Sequence, residues 1–245
     1  MVCFVLFQGG GAQLSDWEPL ATELKKLGTV YMYQNLTYNV FSYIGDSKTA
    51  DRNLSFDLSY CNMDKHLDLI YQQVKHHANL IPVAWSAGGY FARAFAQQYP
   101  CKKIILIDPV MIEPTNVLAR YNKINNLFIK HGRYTNRYLQ HIITEVKTKR
   151  NSSSAIKMMD LVHSLWTKYA MQHIKPSKVS TLIFYNYKGK RKNGAFSNVE
   201  INREIKYLRA NEHTIIKTCT GVGHNIFYYH TKWLMSYVKE FLNTK

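Results

Sequence analysis

The chain has 245 residues, 46% of them apolar, which suffices for one well-filled domain with room for an inserted subdomain. Lys and Arg number 32 against 16 Asp and Glu, a formal charge of +16 that favours anionic company: nucleic acid, an acidic protein, a phosphate-bearing substrate or a membrane surface. No zinc-finger spacing or RRM-type aromatic signature supports nucleic acid. Cys3, Cys61, Cys101 and Cys219 lie far apart and never form C-x-x-C, which argues against a disulfide frame or zinc site and for reduced, mostly buried thiols.

"VCFVLF" (2–7) reads as a buried strand ended by the Gly-rich loop "QGGGA". The run lacks a charged leader and is too short for a signal-peptide core, and no apolar stretch approaches a membrane span. The expectation is a soluble, cytoplasmic protein. "SDWEPLATELKKLG" (15–28) has the Ser cap, acidic first turn, lysine-rich last turn and terminal Gly of a helix. "TVYMYQNL" (29–36) reads as a strand, residues 37–61 as a long loop, and "MDKHLDLIYQQVKHH" (63–77) as a helix. "LIPVAW" (80–85), a helix from Ala87 to Tyr99, and "KKIILID" (102–108) continue the alternation.

From about Thr115 to Pro176 the pattern is helical, polar and basic, the signature of an insertion. Then come the strand "VSTLIFYNY" (179–187), the helix "VEINREIKYLR" (199–209), the strand "HTIIKTC" (213–219) and a final helix from Asn225 to Leu242. Such alternation predicts an α/β fold: a mostly parallel sheet covered by helices on both faces, with residues 1–114 and 177–245 as core and 115–176 as a helical lid.

Ligands of an open parallel sheet bind beyond the carboxyl ends of its strands. Four features fall there: the loop Gln8–Gly11, Ser86 in "AWSAGG", Asp108 in "ILIDP" and His224 in "GVGHN". A serine at a sharp strand-to-helix turn needs small neighbours, and Ala84 and Gly88 provide them; a helix-capping serine is the plainer alternative. His224 suits a general base. No aspartate follows Asp160, so Asp108 is the best candidate to orient it, with Glu113 in reserve. The Ala87 amide, and Gly10 in the glycine loop, are placed to donate to an oxyanion. "GGGAQL" is neither a dinucleotide fingerprint nor a P-loop, and no histidine pair has ligand spacing, so no cofactor or metal is expected.

These residues, in the order glycine loop, Ser, Asp, His, resemble the α/β-hydrolase superfamily. Within it, "FQGGGAQLSDWEPLATEL", "AWSAGGYFARAFAQQY", "KKIILIDP" and "GVGHNIFYYH" are most similar to thioesterase domains of fatty-acid, polyketide and nonribosomal-peptide synthesis. The resemblance implies a fold with a helical lid, an acid after the strand that follows the nucleophile helix, and two-step acyl transfer from a thioester or ester. Gln8 departs from the His of many relatives, and Ala84 from the usual Gly. Substrate contacts are expected from Gln8, Gly9 and Trp85, and from Lys188, Lys190 and Arg191 of "KGKRK". The basic loop suits coenzyme A phosphates, an acidic carrier protein or an anionic membrane surface, or is simply solvated. Two other classes remain open: a ligand-binding protein on a hydrolase scaffold with little or no turnover, and a scaffold that binds acidic polymers by charge.

Overall fold

The structure, a computed structural model, describes residues 1–9, 14–33, 63–119, 174–187 and 196–244. Among these, six strands form one parallel sheet: β1 (Val2–Phe7), β2 (Gly28–Tyr33), β3 (Asn79–Trp85), β4 (Lys103–Ile107), β5 (Ser180–Tyr187) and β6 (Thr214–Thr220). Their order is β2-β1-β3-β4-β5-β6, so the chain builds to one side of β1 and then crosses to the other. That reversal opens a crevice between the carboxyl ends of β1 and β3, where the Gln8 loop and Ser86 lie.

The continuous apolar runs of the strands follow from burial on both faces. In β1, Cys3, Val5 and Phe7 enter one core layer, and Phe4 and Leu6 enter the other. Ile104 and Leu106 alternate in the same way with Ile105 and Ile107. The first layer is closed by α2 (Met63–Val74), α3 (Gly88–Gln98) and α4 (Asn198–Asn211). The second is closed by α1 (Glu18–Lys25), α5 (Ile226–Tyr229) and α6 (Thr231–Asn243). Trp17 and Phe227 stack there with ring centroids 5.2 Å apart.

Two helices differ from their sequence reading. The first does not start on Ser15: a short 3-10 turn, Leu14–Trp17, precedes Glu18, and Pro19 occupies the opening turn of α1, where a missing amide costs least. The last is broken at His230, whose backbone leaves the helical region (φ −131°, ψ 34°) between α5 and α6. Residues 120–173, most of the expected lid with Leu161, Leu165, Trp166 and Met171, lie outside the described residues, as do the 37–61 loop and Cys61.

Helix α3, which starts just after Ser86, is anchored by charge as well as packing. Arg93 forms a two-pronged ion pair with Glu212, both side chains almost wholly buried, and Glu212 Oε1 also accepts from the Ser177 amide at 3.0 Å. Removing one member strands the other in the core, at a cost of about 3–5 kcal/mol, whereas apolar replacement of both is often nearly neutral. Glu212→Ala should therefore lose about that much stability, and Arg93→Met/Glu212→Leu much less, in urea unfolding followed by tryptophan fluorescence.

Candidate active site

Ser86 stands at the end of β3 with φ +53°, in the left-handed region, and Asp108 at the end of β4 with φ +41°. Non-glycine residues held there carry strain that the surroundings must impose. Here the surroundings are hydrogen bonds. Ser86 N donates to Ile107 O at 3.1 Å, and the Ser86 carbonyl accepts from Gly89 N and Val110 N, both at 3.0 Å. Asp108 N donates to Phe184 O at 2.7 Å. The following helix then runs hard against β1: a Cβ on Gly88 would lie 2.6 Å from Gln8 O and 2.7 Å from the Phe7 carbonyl carbon, inside any tolerable contact. This is the steric demand behind the small residue two places after Ser86.

His224 lies in the loop after β6, where Gly221 and Gly223 adopt φ +77° and +83° to turn the chain back over the sheet. Its Nδ1 is 2.6 Å from Asp108 Oδ2. A carboxylate accepts, so Nδ1 is the donor of this bond, and in the neutral imidazole that tautomer leaves the lone pair on Nε2. Asp108 is fully buried, and its Oδ1 accepts from the Asn186 amide at 3.2 Å. Glu113, the reserve acid, is used otherwise: its carboxylate accepts from Asn116 N at 2.8 Å. Phe196 meets the imidazole edge-on, with centroids 6.5 Å apart.

Trp85, expected from the sequence to contact substrate, lies beside the histidine, with ring centroids 5.2 Å apart. Strand alternation turns it, with Ile81 and Val83, into the core layer of α1 and α6, and 7% of it is exposed. Its indole packs against Phe227, and Nε1 donates to the His224 carbonyl at 3.0 Å, so it holds the histidine loop against the serine elbow. Gln8 is also buried, while Gly9 packs against Trp85 and Ser86 so closely that an added Cβ would lie 3.1 Å from Ser86 Cβ. Ala87 immediately precedes α3 in a helical conformation. Gly10, Lys188, Lys190 and Arg191 lie outside the described residues.

Two supports of the site were missed from sequence. One is Asn186, a strand-averse residue inside the apolar run of β5. The other is Glu204, an acid on the buried stripe of α4 between Ile201 and Leu208. Glu204 is fully buried, and its two oxygens accept from Ile112 N and Glu113 N at 2.9 and 2.8 Å. It thereby clamps the segment leaving Asp108, which Tyr90 also holds through Met111 O at 3.3 Å.

No protein-family model matches the sequence. No curated protein sequence matches it either. Solved structures do match, and they define the class: the chain has the α/β-hydrolase fold. MenH from S. aureus is similar with a TM-score of 0.60 at 15% identity, over 98% of this chain and 93% of its own. A structure from work on carboxylesterases of the thaumarchaeon Nitrososphaera gargenis gives 0.59 at 17%, covering 98% and 89%. The NocB thioesterase domain, in covalent complex with a fluorophosphonate nocardicin G analog, gives 0.55 at 12%, covering 100% and 96%. No described helix is long and apolar enough to cross a membrane, and among the described residues no cluster of His, Cys, Asp and Glu could hold a metal.

Burial pushes the Glu204 carboxyl up from an ordinary 4.5 to about 7, against the opposing pull of the two amides and of Arg93. The folded chain therefore binds this proton more tightly than the unfolded one. Its contribution to stability is fully present below the ordinary value and is lost as pH rises through about 7. Glu204→Gln lacks that loss, so the unfolding free energy of the variant minus that of wild type should rise by about 2–3 kcal/mol between about pH 5 and 8 in denaturant titrations.

Proposed function

We propose that the chain is a serine hydrolase that cleaves an acyl thioester or carboxylic ester through Ser86, His224 and Asp108, in the manner of a thioesterase. The observation that carries this reading is the His224–Asp108 hydrogen bond at the sheet edge that also bears the left-handed Ser86 elbow. Hydrolase neighbours, among them the fluorophosphonate-bound NocB domain, lend it further support.

In this mechanism His224 Nε2 takes the proton of Ser86 as the hydroxyl oxygen attacks the acyl carbon. The carbonyl electron pair moves onto oxygen, where the amides of Ala87 and Gly10 receive it. As the tetrahedral intermediate collapses, the C–S or C–O bond breaks and His224 returns the proton to the departing thiol or alcohol. Water, deprotonated by the same histidine, then attacks the acyl-enzyme and releases the acid and Ser86. Asp108 stays ionised throughout and stabilises the imidazolium. No cofactor takes part. The basic segment with Lys188, Lys190 and Arg191 is assigned to the leaving group, as a site for coenzyme A phosphates or an acidic carrier protein, and an anionic membrane surface is the alternative use of the same charge.

The test is labelling by a fluorophosphonate probe, read by intact mass. Wild type should take one adduct and Ser86→Ala none. His224→Ala and Asp108→Asn should label about a hundred-fold or more slowly. A folded wild type that takes no adduct would favour ligand binding without turnover. A labelled enzyme should then be assayed on acyl thioesters and matched oxygen esters, with thioesters expected to be the faster series.

A further inference from the structure

We propose that Asn186 is a positioning residue that couples the acid to the histidine loop without adding a second carboxylate beside Asp108. The inference rests on the Ser86–His224–Asp108 reading above.

The sheet order makes such a residue necessary. Ser86 follows β3, Asp108 follows β4 and His224 follows β6, so β5 intervenes between the acid and the base. Neighbouring strands lie about 4.8 Å apart, so the histidine loop must fold back over roughly twice that distance to reach Asp108. Asn186, near the end of β5 and 1% exposed, is the residue it folds over. Its peptide N–H donates to Asp108 Oδ1 at 3.2 Å. Its side-chain oxygen accepts from Val222 N at 3.3 Å, and weakly from the Cys219 thiol at 3.8 Å. One residue is thus bonded to the acid and to the loop two residues before His224.

The amide orientation follows from its partners. Val222 N–H is a donor, so the carboxamide oxygen must face it. The nitrogen, Nδ2, then has no hydrogen-bond partner among the described residues. A buried unsatisfied amide in a strand costs folding free energy, and Asn is a poor strand residue, so packing alone would select another side chain. Aspartate would serve Val222 equally well as an acceptor. It would also bury a second carboxylate beside Asp108 and over-stabilise the imidazolium, moving the base out of its working range. Asparagine supplies the acceptor without that charge. Cys219 adds no charge, since burial and then Asp108 push its thiol up to about 11.

The experiment measures the rate constant of fluorophosphonate labelling at Ser86 against pH for wild type, Asn186→Ala, Asn186→Asp and Asp108→Asn. Rate constants report folded molecules only, so a partly unfolded variant loses amplitude and not rate. Asn186→Ala should be slowed about ten- to a hundred-fold, because the loop loses its tether. The isosteric Asn186→Asp keeps the tether, so its rate at high pH should approach wild type while its acid limb moves up by about one pH unit or more. Wild-type rates in Asn186→Ala, or an unmoved limb in Asn186→Asp, would overturn the proposal. With Asp108→Asn slow in the same experiment, the triad reading would survive that result. An unlabelled wild type, or Asp108→Asn as fast as wild type, would remove both.

Discussion

Everything at the candidate site depends on two residues held in a left-handed backbone at the ends of adjacent strands. Ser86 and Asp108 each forgo about 1–3 kcal/mol to sit at positive φ. Each is held there by its neighbour's strand: the elbow bonds to Ile107 and Val110 on either side of Asp108, and Asp108 bonds to Phe184 of β5. The turns are cross-braced, so neither can relax alone. A doubly covered parallel sheet can sustain this because burial of side chains such as Phe4, Phe7, Phe95 and Phe184 contributes roughly 1.5–3 kcal/mol apiece. Ser86 stays partly exposed while Trp85 and Ala87 on either side are buried.

The second requirement is electrostatic. Among the described residues, Asp108, Glu113 and Glu204 are buried acids, the Glu212 side chain is buried as well, and Arg93 is the buried basic residue paired with Glu212. Glu212 takes its charge directly, leaving Glu204 to depend on two peptide amides and Asp108 on Asn186 N and His224. The burden is visible at Tyr185, whose phenol is raised well above its ordinary value first by burial and then by Glu204 and Asp108. Backbone amides are suited to this task because they cannot rearrange without undoing a turn. The loop after Asp108 is therefore both the partner of a buried carboxyl and the frame of the acid.

Much of this was legible from local chemistry. Continuous apolar runs in β1, β3, β4 and β5 gave the buried parallel sheet, and small residues around Ser86 gave the elbow, now explained at Gly88 by the carbonyls of Phe7 and Gln8. The order of Ser86, Asp108 and His224 along the chain led to the Asp108–His224 contact, because in such a sheet each follows a successive or near-successive strand. What stayed hidden were partnerships across long separations. Arg93, Asn186 and Glu204 are polar residues within apolar stripes, but the partners of Arg93 and Glu204, Glu212 and the Ile112 amide, lie 119 and 92 residues away and are not encoded locally. Strand parity, Ile81 then Val83 then Trp85, places the indole in the core layer, where it reaches the His224 carbonyl, a bond across 139 residues. The break at His230 had no Gly or Pro to announce it.

The same long-range logic explains why the histidine sits in so spare a loop. From the end of β6 the chain must cross β5 to meet Asp108 on β4, and then present its own carbonyl to Trp85 on β3. Three strands thus fix one residue: β3 through the indole, β4 through the carboxylate and β5 through the Asn186 bond to Val222. Bulky residues in left-handed conformations could not make that reversal, and Gly221 and Gly223 make it without steric penalty. The loop's geometry is imposed from beneath by the sheet, which places the aim of the imidazole under the control of Trp85, Asp108 and Asn186.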